Sequence, residues 1–335
     1  MSRATIRDVA RLAAVSVKTV SRVLNKEPYV ADGTRDRVSA AMRELSYRPN
    51  PAAQGLRRAA SGSIAFVCED ISEPFAAQLA LSIDRAVGNE YVVIVASMMG
   101  DPARERETIE SLASGYADGI ILGPTPGPKG YLARLPRGTA LVCLDRPAPD
   151  VATDVVLSDN VGGMTDAVRH LVDAGHKRIA YLGDAPAVFT QQERLLGYRA
   201  ALDAAGIAYD KELIYQHAPD DQRLKKHLSW LMQVREPPTA VVSANSLTTL
   251  SLVHAGFDVG RSNFIGFDDF PLADVLYGGI NVIAQDADAL GAEATHTLLR
   301  RMQDNAAPVR TTRLATKLVL RQTPGEPASA DRVEP

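Results

Sequence analysis

Cysteine, aromatic residues and long apolar runs are scarce in this chain of 335 residues. With only Cys68 and Cys143, it cannot form a disulfide scaffold, a four-cysteine zinc site or a cysteine-held iron–sulfur cluster. No run of 18 apolar residues is present, so no membrane-spanning helix is predicted. The first residues lack the apolar core of a signal peptide, and we expect a cytoplasmic protein. Hydrophobic residues still make up 46% of the sequence, enough for two or three packed domains.

Patterns typical of catalytic and metal sites are also missing. The six histidines show neither the HxxxH nor the HxxE spacing of a metal site. Asp268 and Asp269 are adjacent on a predicted extended segment, so they point to opposite faces and cannot act as paired catalytic carboxylates. No nucleophile and base can be paired either. We therefore predict neither an enzyme nor a bound metal or cofactor.

The charges are unevenly distributed along the chain. Residues 1–60 contain 12 Lys and Arg against 5 Asp and Glu, whereas the whole chain contains 37 against 40. A basic N-terminal segment on an acidic body is typical of a protein that binds a polyanion at one end. A solvated basic surface without a partner fits the charges equally well, so the motifs within this segment carry the argument.

The basic segment has the pattern of three short helices. Thr5 and Asp8 form a capping box at the start of the first helix, and Ser16 can cap the second. A third helix is predicted over 32–45. Two short helices joined by a tight turn are a helix-turn-helix, and a third helix closes their core. We predict an all-α DNA-binding domain over residues 1–49.

The polar side of the second helix carries the predicted DNA contacts. Residues near the start of such a helix enter the groove, so Val17, Lys18 and Arg22 are predicted to contact base edges. Three polar residues are better placed to bind backbone phosphates: Ser16, Ser21 and Asn25. The complete predicted DNA-binding set is Thr5, Ser16, Val17, Lys18, Thr19, Ser21, Arg22, Asn25, Tyr47, Asn50, Ala53 and Leu56.

Residues 50–61 have the pattern of a hinge helix and linker. Asn50 can cap a short helix and Pro51 suits its first position. Such a helix is too short to be stable alone, and Gly55 weakens it further. A helix that folds only on DNA would explain the position of Leu56, which we interpret as an apolar wedge in the minor groove.

Residues 62–323 alternate between strand-like and helix-like stretches. This alternation predicts parallel sheets with helices on both faces, and its repetition predicts two Rossmann-like α/β lobes. The predicted lobes are residues 62–157 plus 286–312 and residues 158–285 plus 313–323. Residues 324–335 are polar and Pro-rich, and we predict a disordered tail. The tail has no heptads, so a coiled coil is not expected.

Polar residues follow several of the predicted strands. Because ligands of parallel α/β folds bind beyond the carboxyl ends of the strands, two such lobes predict a ligand in the cleft between them. Taken singly, Asp159, Asn245 and Asp268 could simply cap helices, and Arg194 could pair with a surface acid. Together with Asp145, they offer the donors and acceptors that sugar hydroxyls require.

Several of these motifs are similar to one known family. The DNA-binding head of the LacI/GalR family of bacterial regulators resembles residues 5–10, 15–25 and 47–50. The core of that family, which is similar to periplasmic sugar-binding proteins, resembles residues 117–122, 175–180 and 266–269. Ala14 stands where this family usually has a turn glycine.

The resemblance also implies an effector site. Seven residues match positions that hold ribose-like sugars in the family: Phe75, Asp145, Arg146, Arg194, Asn245, Asp268 and Gln285. Glu73 stands at a position often occupied by Asn, and Ala76 at one often occupied by an aromatic residue, which leaves room for a larger ligand. The predicted effector-binding set consists of the seven matching residues together with Glu73 and Asp159. A small sugar, cyclitol or nucleoside is the predicted effector.

The resemblance implies a sequence-specific repressor of carbohydrate or nucleoside catabolism genes. As a homodimer, it would bind palindromic operator DNA and be switched by the effector. Activation, or an effector that tightens DNA binding, uses the same parts and stays open. An alternative is a global catabolite regulator controlled by a phosphorylated carrier protein. A DNA-anchored sugar-modifying enzyme is disfavoured by the missing catalytic residues.

Overall fold

A computed structural model describes residues 4–24, 29–45, 47, 61–136, 138–218 and 220–322. The chain divides into two compact units, which we call the head (residues 1–62) and the core (residues 63–335). Most of the predicted hinge, the predicted tail and four predicted DNA-binding residues lie outside the described residues: Asn25, Asn50, Ala53 and Leu56.

The head is built from three helices: α1 (Ile6–Leu12), α2 (Val17–Leu24) and α3 (Asp32–Glu44). The main-chain N–H of Thr5 donates to the Asp8 carboxylate over 2.9 Å, as the predicted capping box requires. The Ser16 hydroxyl accepts the N–H of Thr19 at 3.0 Å and so caps α2. Small apolar side chains fill the space between the helices: Val9, Ala10, Ala13, Val20, Val23, Val30, Val38 and Ala41.

The turn between α1 and α2 contains a strained residue. Ala14 has a φ of 51°, in the left-handed region that favours glycine. The side chain of a non-glycine residue raises the energy of this conformation by about 1–2 kcal/mol. The helix-turn-helix therefore forms despite the missing glycine, and it loses some stability as a result.

We expect Ala14→Gly to slow hydrogen exchange of the α2 amides in the full chain by about two- to fivefold, because glycine relieves this strain. The matched control is Ala40→Gly at an exposed position inside α3. There the same substitution should weaken the helix by about 1 kcal/mol. Faster α2 exchange in Ala14→Gly would contradict the strain argument.

The first lobe of the core is a parallel six-stranded sheet. Its strands are β1 (Ser63–Cys68), β2 (Val92–Ser97), β3 (Gly119–Leu122), β4 (Ala140–Leu144), β5 (Asp154–Ser158) and β11 (Thr311–Leu314). They lie in the order β11-β5-β4-β3-β1-β2. The helices of this lobe are α4 (Pro74–Val87), α5 (Pro102–Ser111) and α10 (Ala287–Gln303), with a π-helical turn at Leu112–Tyr116 and a 3₁₀ turn at Gly130–Arg134.

Both faces of this sheet are buried. Ile64 and Phe66 pack in one apolar cluster with α4 and α10, while Ala65 and Val67 pack in another with α5. Successive side chains of a strand point to opposite faces, so a strand covered on both sides needs a continuous apolar run. This requirement explains why the strands could be recognised in the sequence.

The second lobe repeats the arrangement with one reversed strand. Its strands are β6 (Ile179–Gly183), β7 (Ile214–Gln216), β8 (Ala240–Ser243), β9 (Phe264–Phe267), β10 (Val282–Ala284) and β12 (Lys317–Val319). Their order is β12-β10-β9-β8-β6-β7, and β12 runs antiparallel to β10. The helices are α6 (Asn160–Asp173), α7 (Phe189–Ala204), α8 (Asp221–Leu231) and α9 (Ser246–His254), with 3₁₀ turns at Lys211–Leu213 and Leu276–Gly278.

The chain passes between the lobes after β5, after β10 and between β11 and β12. The first lobe reaches the end of β11, because Arg313 and Leu314 still pair with β5. The two-lobed α/β fold itself is confirmed. Within the described part of the chain, no helix combines the length and hydropathy needed to cross a membrane.

Candidate functional site

A cavity of about 310 Å³ lies between the two lobes, at the carboxyl ends of their strands. The first lobe lines it with Glu69, Asp70, Glu73, Phe75, Met99, Gly100, Asp145 and Arg146. The second lobe lines it with Asp184, Val188, Thr190, Arg194, Ala218, Asn245, Leu247, Asp268 and Gln285. Most of these side chains are polar or charged, so the cavity suits a hydroxyl-rich ligand.

On the first lobe, one guanidinium joins two carboxylates. Arg146 Nη1 donates to Glu69 Oε2 over 2.6 Å, and its Nε donates to Asp145 Oδ2 over 3.3 Å. Glu69 follows β1, whereas the other two residues follow β4, the next strand but one in the sheet. These ion pairs hold the wall together and orient the guanidinium along it.

On the second lobe, Arg194 is almost fully buried, with 3% of its surface exposed. Its Nε donates to Asn160 Oδ1 over 2.8 Å, and its Nη2 lies 3.9 Å from Asp268 Oδ1. The guanidinium also stacks over the Phe267 ring at 3.8 Å from its centroid. These contacts leave Arg194 one defined orientation at the cavity wall.

Gly197 allows α7, which carries Arg194, to approach α6 closely. A Cβ atom at this glycine would collide with the main-chain oxygen of Val161. The short distance between the helices brings Asn160, at the start of α6, within hydrogen-bonding distance of Arg194. The position of the guanidinium therefore depends on helix packing as well as on its own side chain.

Asp268 is held by a network of polar contacts. Its carboxylate accepts the amide Nε2 of Gln285 at 2.6 Å and the main-chain N–H of Ser246 at 3.1 Å. Burial raises the pKa of Asp268, whereas Arg194 and the hydrogen bond from Gln285 act in the opposite direction. Asp145 and Asp268 both have left-handed backbones, with φ of 72° and 75°. Such strain is common at binding sites, where the surrounding structure holds it in place.

Glu73, at the start of α4, has a strongly perturbed carboxyl group. Burial, followed by the nearby carboxylates of Asp268 and Asp145, raises its pKa from the ordinary 4.5 to about 8. No hydrogen bond or ion pair links its carboxylate to another residue that the structure describes.

Glu73→Gln is expected to stabilise the core by about 1–2 kcal/mol at pH 8.5 and to have little effect at pH 5. The folded protein binds the Glu73 proton more tightly than the unfolded chain does. The contribution of Glu73 to the free energy of unfolding is therefore complete below pH 4.5 and is lost as the pH rises to about 8. Urea unfolding at both pH values measures the effect. Glu90→Gln, an exposed carboxylate beyond the other end of α4, is the control. Equal changes at the two pH values would contradict the prediction.

Eight of the nine predicted effector-binding residues line this single cavity: Glu73, Phe75, Asp145, Arg146, Arg194, Asn245, Asp268 and Gln285. Asp159 is the exception, and its role in effector binding stays a prediction. Its carboxylate accepts the N–H of Gly162 at 3.0 Å and caps α6, and it does not line the cavity. Asn245 does both, because it lines the cavity and caps α9 through the N–H of Thr248.

Several lining residues were not predicted from the sequence. Glu69, Asp70 and Asp184 directly follow β1 and β6, so the rule that ligands bind beyond strand ends could have found them. Thr190 lies one turn before Arg194 on α7, where helical spacing places it on the same side. Met99, Val188, Ala218 and Leu247 carried no recognisable signal, because their role depends on where the lobes meet.

The head exposes the predicted start of the recognition helix. Val17, Lys18 and Arg22 are exposed on α2, whereas Val20 and Val23 are buried on its opposite side. Thr5 and Ser16 are exposed and occupied in capping, and Thr19 and Ser21 are partly exposed. Tyr47 packs against the apolar core of the head.

Both the head and the core of this chain are similar to known proteins. Residues 5–50 match bacterial regulatory proteins of the lacI family, and residues 168–323 match a periplasmic binding protein-like domain. HTH-type transcriptional regulator DegA of Bacillus subtilis (strain 168) is 30% identical over 333 residues, which cover 96% of this chain and 98% of that protein. A ribose operon repressor of Halalkalibacterium halodurans is 29% identical, covering 95% and 96%. The solved complex of transcriptional regulator CelR with cellobiose is similar with a TM-score of 0.67 and 27% identity, covering 95% and 99%.

A helix-turn-helix head followed by a two-lobed core of the periplasmic-binding type defines a DNA-binding transcriptional regulator. The chain belongs to the LacI family of bacterial regulatory proteins. The family inferred from the sequence motifs is thus confirmed. The relatives are regulators and repressors of transcription and not enzymes.

Proposed function

We propose that this regulator represses genes of carbohydrate or nucleoside catabolism and is switched by a small sugar-like effector held between its lobes. The observation that carries the proposal is the cavity of about 310 Å³, lined by polar residues of both lobes. Its size lies at the lower end of the roughly 300–1,000 Å³ typical of small-molecule sites. A ribose operon repressor and a regulator solved with cellobiose are among the similar proteins.

The proposed switch is a shift between conformations of the core. An effector that contacts Asp145 on one lobe and Arg194 on the other binds the closed cleft more tightly than the open one. Closure in each subunit of the proposed homodimer would change the separation of the two hinges and so the insertion of Leu56 into operator DNA. The expected coupling free energy is about 1–3 kcal/mol.

A thermal-unfolding screen of the full chain tests the effector proposal. The compounds are pentoses, hexoses, amino sugars, cyclitols, nucleosides and sugar phosphates. A ligand at 100 times its Kd adds about 2.7 kcal/mol to the folded state. That gain should raise the midpoint by several degrees. Compounds that raise the unfolding midpoint are then tested for operator release by fluorescence anisotropy. A flat screen would reject the small effector and favour control by a protein partner.

Lys18 is proposed to contact base edges of the operator, because it is exposed near the start of α2. We expect Lys18→Ala to lower operator affinity about tenfold, consistent with about 1–3 kcal/mol for a specific base contact. Arg43→Ala is the control, since Arg43 is equally cationic and exposed in the last turn of α3. Anisotropy titrations at one salt concentration measure both variants. Equal losses in both would indicate a general charge effect and contradict the proposal.

A further inference from the structure

The cavity between the lobes contains more carboxylates than cationic groups. Its acidic residues are Glu69, Asp70, Glu73, Asp145, Asp184 and Asp268. Among the described lining residues, Arg146 and Arg194 are the cationic ones. Even with Glu73 protonated, the carboxylates outnumber the two arginines, so the cavity carries a negative potential towards any ligand.

The hydrogen-bond donors of the cavity are largely engaged with the protein itself. Arg146 donates to two carboxylates of its own lobe, as described above. Arg194 donates to Asn160 and to the main-chain oxygen of Ala244. Asn245 Nδ2 donates to Asp184 over 3.3 Å. A ligand therefore meets a surplus of acceptors.

Gln285 shows the same surplus at a single side chain. Its Nε2 donates to Asp268, and its Oε1 is buried with no hydrogen-bond partner among the described residues. A buried acceptor without a partner is unfavourable by about 1–3 kcal/mol. Since Gln285 lines the cavity, a ligand donor is the natural partner for this oxygen.

Glu73 lies close to two of these carboxylates, those of Asp268 and Asp145. It borders the main cavity and also a smaller recess of about 30 Å³. Phe66, Phe75, Leu79 and Leu144 line that recess, so one side of the carboxyl group faces apolar atoms. The carboxyl group is partly exposed to the cavity, and Arg146 and Arg194 attract it without forming an ion pair. Its pKa of about 8 keeps it largely protonated at pH 7 as long as no cation pairs with it.

We propose that the effector is a polyhydroxylated amine, such as an amino sugar or an aminocyclitol, whose ammonium group pairs with Glu73. This inference rests on the proposed effector function of the same cavity. An ammonium group supplies three donors for the surplus acceptors and one positive charge. By pairing with Glu73, it would displace the proton that the carboxyl group carries at pH 7. The remaining hydroxyls of the ligand donate to acceptors such as Asp145, Asp184 and Gln285 Oε1.

The excess of carboxylates in the cavity disfavours other classes of ligand. A phosphorylated or carboxylated sugar would add negative charge beside six carboxylates and is expected to bind weakly. A neutral sugar can satisfy the acceptors but leaves Glu73 without a cationic partner. The amine and its neutral parent have nearly the same shape, so they isolate the contribution of the charge.

Isothermal titration calorimetry of the full chain at pH 7 tests the inference with matched compounds. The panel contains glucosamine, galactosamine, mannosamine and 2-deoxystreptamine, with glucose, galactose, mannose and myo-inositol as neutral references. N-acetylated hexosamines and hexose 6-phosphates complete it. The variants are Glu73→Gln, which keeps the shape but cannot ionise to pair with an ammonium group, and Glu90→Gln as an exposed control on the same lobe.

We expect at least one amine to bind about tenfold or more tightly than its neutral parent, and N-acetylation to abolish the advantage. Glu73→Gln should bring the ratio of the two affinities close to one, whereas Glu90→Gln should leave it unchanged. A neutral or phosphorylated compound that binds as tightly as every amine overturns this inference and leaves the proposed effector function intact. An unchanged ratio in Glu73→Gln also overturns it. No binding by any compound in this panel or in the thermal screen overturns both.

Discussion

Arg194→Ala is expected to lower the affinity of the core for its effector at least about 100-fold, the largest functional effect that we predict. Removing one partner of a buried charge pair costs about 2–5 kcal/mol, and here it would leave Asp268 at the cavity wall without its cation. Each 1.4 kcal/mol is tenfold in Kd. The guanidinium lies between Asn160 and Asp268 at the cavity wall and stacks on Phe267. Calorimetry with a compound that raises the midpoint in the thermal screen measures this loss of affinity.

Two further measurements separate binding from folding in this variant. Arg199→Ala is the matched control, because Arg199 lies on the same helix but is exposed and contacts Tyr209. Operator affinity without effector should be the same in both variants and in the native chain, since the head is a separate compact unit. Arg194→Lys keeps a positive charge near Asp268 and should fold with normal stability while binding weakly. An unchanged effector response in Arg194→Ala would remove this residue from the proposed site.

Lys129→Met is expected to destabilise the core by about 3–5 kcal/mol, the largest effect on stability. Lys129 and Glu105 form an ion pair of 2.7 Å, and their side chains are 1% and 0% exposed. Lys129 also donates to the Thr125 hydroxyl over 3.0 Å, and the Tyr131 hydroxyl donates to Glu105 over 2.8 Å. Removing the lysine leaves the glutamate charged, buried and without its cation.

An exposed ion pair on α5, the helix that carries Glu105, provides the control. Arg106 and Glu110 are 2.8 Å apart on α5, but their side chains are 55% and 48% exposed. Arg106→Met should cost less than about 1 kcal/mol because water and salt screen that pair. The double variant Lys129→Met/Glu105→Gln should recover most of the lost stability, since it removes both buried charges. Urea unfolding gives all four values, and equal losses in Lys129→Met and Arg106→Met would contradict the argument.

Much of the fold could be predicted from local patterns. The capping box at Thr5 and Asp8 and the apolar run at β1 are local signals, since caps and buried strands need particular residues at neighbouring positions. The positions of Asp145 and Asn245 could also be predicted. Side chains that follow parallel strands meet at one edge of a sheet.

Other features depend on partners that are distant in sequence. Asp159 and Asn245 both follow a strand and cap a helix, yet only Asn245 lines the cavity. Local sequence cannot separate these two cases, because the difference lies in which residues face the other lobe. Lys129 has the appearance of a solvated loop residue, and its partner Glu105 is on a helix that precedes β3.

The sequence by itself determined the family, the two α/β lobes and most of the residues at the strand ends, because these depend on periodicity, caps and motifs along the chain. Only the tertiary structure decided which side chains share the cavity and which of them have partners. The charge balance at Glu73 and the burial of Lys129 arise when segments far apart in the chain pack together and exclude water. Burial and pairing are properties of that packing, and no local pattern encodes them.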